Sequence, residues 1–205
     1  RHDAPTRLCY IGSVLRTRAD GLSGSRSPLQ IGAELYGHAG VESDVEILCL
    51  MMETLRVAGL DDVYLDLGHV GVFRALAADA GMSEAQEAAL FEALQRKAAP
   101  EVAAIVDGLP ADAGRRRRRR LQALVDLNGN EDVLAHAREV FAGAPPAVLD
   151  AVDYVADLAA RLRRCLPGDE VVDFDLQHIV TLAQRGDVDL GALDQGHAFR
   201  IDVHA

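Results

Sequence analysis

The sequence predicts an α+β fold in which antiparallel strands open the chain, a block of helices follows, and a strand returns near the end. Three observations carry this. Arg7 to Leu15 and Leu29 to Tyr36 are short apolar runs separated by a Gly- and Ser-rich stretch, Ala19 to Ser27, which reads as a hairpin. From Ser83 to about Leu166 the apolar period is helical throughout. Glu170 to Leu176 (EVVDFDL) then returns to a strand pattern. The expected organisation is a strand-rich segment over 1–82, a helical insertion over 83–168, and a return strand with an irregular tail over 169–205.

The second run, LQIGAELY, alternates. Leu29, Ile31, Ala33 and Leu35 fall on one face, and Gln30, Gly32, Glu34 and Tyr36 on the other. A helix is expected next. Ser43 with Glu46 three places on is a capping-box pattern, Val45, Leu48, Met52 and Leu55 make the apolar stripe, and Gly59 ends it. Asp62 to His69 reads as a strand with Val63, Leu65 and Leu67 on one face, and Gly71 to Ala80 as a helix. Ser83 with Gln86 is a second capping pair. Breaks at Pro100, Gly108–Pro110, Asn128–Asn130 and Gly143–Pro146 divide the helical block into four or five helices of ordinary length. A short helix, Leu176 to Gln184, and then little regular structure are expected at the end.

Composition narrows the function. The formal net charge is −11, from 21 Lys+Arg against 32 Asp+Glu, and only 4% of residues are aromatic, with no Trp. A chain of that sign repels a phosphate backbone, and it lacks base-stacking side chains, so no nucleic-acid partner is expected. Cys9, Cys49 and Cys165 are odd in number and far apart, with no CxxC. They suggest neither a disulfide framework nor a structural zinc site, and fit a cytoplasmic protein. No apolar run approaches the ~18–20 residues of a membrane span, so no membrane partner is expected. No signal peptide is visible at Arg1. The absence of an initiating Met leads us to expect a partial chain.

Side chains that carry chemistry are few. There is no GxSxG and no phosphate-binding loop, and no catalytic residues or cofactor are expected. His38 and His69 read as hydrogen-bonded structural residues rather than metal ligands, and no metal site is expected. Six consecutive arginines, Arg115 to Arg120, read as a solvated helical stretch. A phosphate- or acid-binding patch is the sharper alternative, weakened because helical spacing spreads six neighbours around the helix. The hairpin differs. Arg16, Gln30 and Glu34 converge on one face if the strands pair across the loop. Arginine offers a fork for a carboxylate, while Glu and Gln offer groups for an ammonium or an imidazole. That set suits an amino-acid ligand.

The stretch Arg7 to Leu48, with PLQIGAELYG and the later YLDLGHVGVFRAL, resembles motif 2 of class II aminoacyl-tRNA synthetases in the version found in histidyl-tRNA synthetase. More closely, it is similar to that enzyme's catalytically inactive paralogue, the regulatory-subunit family of ATP phosphoribosyltransferase. The likeness is good from Arg7 to about Leu94, weaker to Leu176, and absent over the last 25 residues. It implies a partial class II aminoacyl-tRNA synthetase-like antiparallel sheet with flanking helices and a helical insertion. Arg16 matches the motif 2 arginine, and Gln30 and Glu34 match the family's histidine-binding pair, spaced fourteen and four residues apart as in the family.

The departures from the synthetase pattern point the same way. Leu15 stands where an aromatic precedes the arginine. Arg18 stands where an acid follows it, and Pro28 where a ring stacks on adenine. A proline gives no comparable stack, and an arginine accepts no hydrogen bond. ATP activation is therefore expected to be impaired. The family's Arg-Gly segment and motif 3 do not follow Leu176, where Gln177-His178-Ile179 stands, and motif 1 is expected to lie upstream of residue 1. The resemblance implies a non-catalytic regulatory subunit. It would activate the short-form catalytic subunit of ATP phosphoribosyltransferase in the first step of L-histidine biosynthesis, and help feedback regulation by L-histidine bound at Arg16, Gln30 and Glu34. A divergent or truncated histidyl-tRNA synthetase is the alternative.

Overall fold

A computed structural model describes residues 4–15, 17, 26–27, 29–60, 63–166, 172–176, 181–184 and 197–203. In chain order the elements are β1 (Thr6–Ser13), β2 (Leu29–Tyr36), α1 (Val41–Val57), β3 (Val63–Leu67), α2 (Val70–Asp79), α3 (Glu84–Gln95) and α4 (Ala99–Asp107). Then come α5 (Gly114–Ala123), β4 (Asn128–Gly129), α6 (Asp132–Val140), α7 (Pro146–Cys165), β5 (Val172–Asp175), β6 (Thr181–Gln184) and β7 (His197–Val203). Single 3₁₀ turns, Ala111–Ala113 and Leu124–Asp126, flank α5. The chain forms two compact units, one from 1–65, 158–171 and 180–205, the other from 66–157 and 172–179.

The first unit is built on an antiparallel sheet of order β1-β2-β7. The β1–β2 register pairs Leu8 with Glu34, Tyr10 with Gly32 and Gly12 with Gln30. The alternation read from LQIGAELY holds: Ala33 and Leu35 are buried, and Gln30 and Glu34 are half-buried on the opposite face. Helix α1 packs on β2 and β7. It buries Ile47, Leu48, Met51, Met52 and Leu55, the i, i+1, i+4, i+5, i+8 stripe of a one-sided helix. Its start differs from expectation. Gly40, not Ser43, is the N-cap, and no side chain caps the helix. Ser43 is buried in the first turn, where its Oγ lies 2.7 Å from His38 Nδ1, and Glu46 pairs with Arg7 on β1. Serine three residues before an acid is compatible with two helix starts, and here the buried Ser43, bonded to His38, lies inside the earlier one.

The second unit is helical, with α2, α3, α4 and α5 packed in succession and β4 paired antiparallel to β5. Phe73 of α2 meets Phe91 of α3 with ring centroids 5.3 Å apart. Ser83 makes the expected capping box with Gln86. Pro100 does not break a helix as its position suggested. It sits in the first turn of α4, where a missing N–H costs nothing. His69 caps α2, its Nδ1 accepting from the Gly71 amide at 3.0 Å, and its ring meets Tyr154 edge-on. Both histidines make hydrogen bonds to neighbouring residues of the fold.

Three helix ends share one geometry. The amide of the third residue beyond the helix reaches back five residues, Leu60 N–H to Leu55 O, Met82 N–H to Ala77 O, and Ala98 N–H to Ala93 O. The residue before each has a positive φ, +80° at Gly59, +68° at Gly81 and +49° at Lys97. At the third, a lysine takes the glycine position, and its Nζ pairs with the buried Asp175 carboxylate at 3.3 Å.

The end of the chain departs most from expectation. Thr181–Gln184 is a strand rather than the end of a short helix, and His197–Val203 is the third strand of the first sheet, paired in register with β2 from Leu29↔Val203 to Leu35↔His197. The expected break at Pro167–Gly168 lies outside the described residues. Among the described residues, Cys9, Cys49 and Cys165 form no disulfide. No described helix is long and apolar enough to cross a membrane.

Candidate functional site on the polar face of the β1–β2 hairpin

Strand β2 places Gln30, Gly32, Glu34 and Tyr36 on one side of the sheet. Its register with β1 sets Thr6, Leu8, Tyr10 and Gly12 beside them. Four strand residues separate the Gln30 and Glu34 backbones by roughly 13 Å at about 3.3 Å per residue. Glycines fill the space between: Gly32 on β2, and Gly12 opposite Gln30. A side chain built at Gly12 would meet nothing within 4 Å. The result is a trough with an amide at one end and a carboxylate at the other, where Tyr10 of β1 and Arg200 of β7 stand in register on either side of the buried Gly32.

Glu34 is not alone at its end. The Tyr36 hydroxyl, two residues on and on the same face, donates to Glu34 Oε2. That hydrogen bond and the charge of Glu34 raise the Tyr36 phenol above the usual tyrosine range. The phenol holds the carboxylate in one rotamer, leaving its other oxygen to accept from a ligand N–H. Gln30 supplies both a donor and an acceptor. The set suits a small cation, an ammonium or an imidazole N–H, and it contains no nucleophile–base pair.

Of the three residues the sequence singled out, the structure brings Gln30 and Glu34 onto one face. Arg16 lies outside the described residues, as do Arg18 and Pro28. Leu15 is exposed. Tyr36 and Tyr10 were missed as site residues. The alternation of β2 already put Tyr36 beside Glu34, whereas Tyr10 joins only through the strand register. On the opposite face, Arg7 holds Glu46 of α1 through two hydrogen bonds, the Nη2–Oε2 one at 2.8 Å. This pulls the Glu46 carboxyl below its ordinary range and pushes the Arg7 guanidinium up. Arg7 is therefore committed to packing rather than to a ligand. Among the described residues, no three His, Cys, Asp or Glu side chains cluster as a metal site.

Comparison with known proteins fixes the family. The model of histidyl-tRNA synthetase matches residues 1–182. The chain belongs to the histidyl-tRNA synthetase family. Within it, the chain is 54% identical over 165 residues to a protein of Thioalkalivibrio sulfidiphilus named ATP phosphoribosyltransferase regulatory subunit, covering 80% of this chain and 41% of that one. It is 48% identical over 201 residues to the protein of the same name from Alkalilimnicola ehrlichii, covering 98% of this chain and 49% of that one. The chain thus spans less than half the length of these relatives. Among solved structures, a Bacillus halodurans protein described as an ATP phosphoribosyltransferase regulatory subunit/histidyl-tRNA synthetase superposes with a TM-score of 0.81. It is 24% identical and covers 98% of this chain and 57% of that one. An ATP phosphoribosyltransferase complex from Thermotoga maritima superposes with a TM-score of 0.67 at 15% identity, covering 98% of this chain and 74% of that one. These likenesses establish the class II synthetase-like fold expected for the histidyl-tRNA synthetase family.

Proposed function

We propose that this chain is part of a non-catalytic regulatory subunit of ATP phosphoribosyltransferase. In this reading the protein pairs with the short-form catalytic subunit in the cytoplasm, activates it in the first step of L-histidine biosynthesis, and helps transmit feedback inhibition by L-histidine. The observation that carries the reading is the 48–54% identity to relatives named as such regulatory subunits. The face of β2 supports it, because it carries an amide and a tyrosine-braced carboxylate, a set suited to an amino acid. Glu34 and Gln30 take the ammonium or imidazole nitrogens of histidine, Tyr36 holds Glu34 in place, and Arg16 takes the carboxylate. Feedback then requires that histidine bind two assembly states with different affinity.

The test mixes the full-length protein with the short catalytic subunit and follows phosphoribosyl-ATP formation with and without histidine. Stimulation that histidine reverses is expected. In the same assay Glu34→Ala is expected to weaken the histidine response by about tenfold or more, since a charge-assisted hydrogen bond contributes about 1.5–3 kcal/mol. Inhibition by histidine that is unchanged in that variant removes the site from the reading. Absence of both stimulation and co-elution favours the second reading, a divergent histidyl-tRNA synthetase. The family model's own description favours that reading, while Leu15, Arg18 and Pro28 stand against it. Histidine-dependent ATP–pyrophosphate exchange decides for it.

A further inference from the structure

The six arginines of α5 are not a uniformly solvated stretch. Arg118 turns back to cap the preceding helix region, donating to the Asp107, Leu109 and Pro110 carbonyls. Arg117 Nε pairs with Asp79 Oδ1 at 3.0 Å. Arg120 is 4% exposed and donates through Nη2 to the Ala142 carbonyl at 2.6 Å. Arg115, Arg116 and Arg119 make no hydrogen bond or ion pair with the described residues. The helical spread that weakens a one-sided site in the sequence is overcome by a cleft. Arg115, Arg116, Arg117 and Arg120 all line one hollow of ~590 Å³, floored by the start of α5 and rimmed by the Gly143–Pro145 turn.

Three features of that hollow ask for an anion. Helix α5 begins with no acidic residue in its first turn and no side-chain cap, so its positive end faces arginines that it repels. The buried Arg120 has an Nε–H with no acceptor among the described residues, a buried donor that costs about 1–3 kcal/mol unless something accepts from it. Among the described residues Asp79 is the one carboxylate lining the hollow, and Arg117 already holds it. On the rim, Gly143 has φ +70°, a backbone conformation that favours glycine, and a Cβ there would make only ordinary contact with Arg120 Nη2 at 3.6 Å.

We propose that this cleft binds a polyphosphate group, as carried by inorganic pyrophosphate or by a nucleoside triphosphate. A single carboxylate would leave most of the arginine charge unmatched. Linked phosphates offer several anionic oxygens, each able to take a guanidinium fork or a helix-start amide. A hollow of this volume is in the range of small-molecule sites. The proposal is independent of the histidine trough on β2, which belongs to the other unit.

The test is calorimetric titration of the full-length protein with sodium pyrophosphate, with ATP in a second arm and inorganic phosphate in a third, at low and moderate salt. Pyrophosphate is expected to bind more tightly than phosphate, with affinity falling as salt rises. The Arg115→Gln/Arg116→Gln double variant, which removes two exposed and unpartnered guanidiniums, is expected to weaken it by about tenfold or more while leaving the circular dichroism spectrum and melting temperature unchanged. ATP binding more tightly than pyrophosphate, and competing with it, assigns the site to a nucleotide. ATP binding no better assigns it to the bare phosphate chain. No binding of either, or binding that the double variant leaves unchanged, overturns the proposal. Tight binding of a short single-stranded RNA with no pyrophosphate binding also overturns it, in favour of a nucleic-acid contact.

Discussion

At Tyr36 a single hydroxyl links strand geometry to ligand chemistry. Because the folded-state pKa of this phenol is raised by Glu34, the bonded, protonated form stabilises the fold below the ordinary tyrosine value of about 10. That contribution is lost as pH rises through the folded pKa. In ¹³C-tyrosine NMR, Tyr36 is expected to titrate above the usual range and Glu34→Gln to bring it back down. A Tyr36 titration unaffected by Glu34→Gln would show that the two side chains are not coupled in solution. Glu46 has the opposite sign. Its pKa is depressed by Arg7, so its contribution is present above the unfolded carboxylate value and lost as pH falls through the folded one. Arg7→Gln is expected to raise the Glu46 pKa in a carboxylate NMR titration, with a small effect on stability because both side chains are exposed to screening. Neither partnership is local enough to read from spacing with certainty of role. Glu34 and Tyr36 share a face by alternation, but Arg7 and Glu46 lie 39 residues apart and meet only because α1 packs on the sheet.

Helix ends show where local sequence suffices. At Gly59 a built Cβ meets nothing within 4 Å, so the cost of Gly59→Ala is purely that of forcing alanine to φ +80°, about 1 kcal/mol or slightly more. Ser83→Ala is expected to cost about 1 kcal/mol through loss of the capping box. Both are checked by urea denaturation, where an unchanged midpoint would contradict the assigned cap. Gly59 and the Ser83–Gln86 pair were legible because the bonds they make span six residues or fewer. Ser43 was misread because its side chain is buried and its hydroxyl answers to His38, an exposed histidine outside the helix. Lys97 was not read as a helix end at all, since a lysine at positive φ carries no glycine signal and its ion-pair partner Asp175 lies far along the chain. Asp175→Ala is expected to destabilise the second unit by about 1–3 kcal/mol, measured the same way.

At the largest scale, the sheet of the first unit has an exposed edge. Strand β1 is at one edge of the order β1-β2-β7, and it exposes Leu8 and Tyr10 on one face and Ile11 on the other. An edge strand with apolar side chains on both faces is a template for association. The 205-residue chain by itself is expected to self-associate with rising concentration, and Ile11→Lys is expected to lower that tendency in static light scattering. Concentration-independent scattering by the unmodified chain would mean that this edge is inert.

The amino-acid sequence by itself determined the α+β class, strand β2 with its two faces, the run of helices between strands, and the pairing of Gln30 with Glu34 on one side of the sheet. These depend on alternation, helical period and caps, which are short-range. Tertiary structure alone decided the rest. Strand β7 carries an alternation of Phe199, Ile201 and Val203 too brief to stand out, and it exists as a strand because β2 offers a full ladder some 170 residues earlier. Tyr10 enters the trough through strand register. The arginine run divides into a helix-capping residue, a buried anchor and the lining of a cleft because different neighbours face each turn of α5. In each case the deciding partner lies outside the span over which sequence patterns carry information, and only the closed chain brings it near.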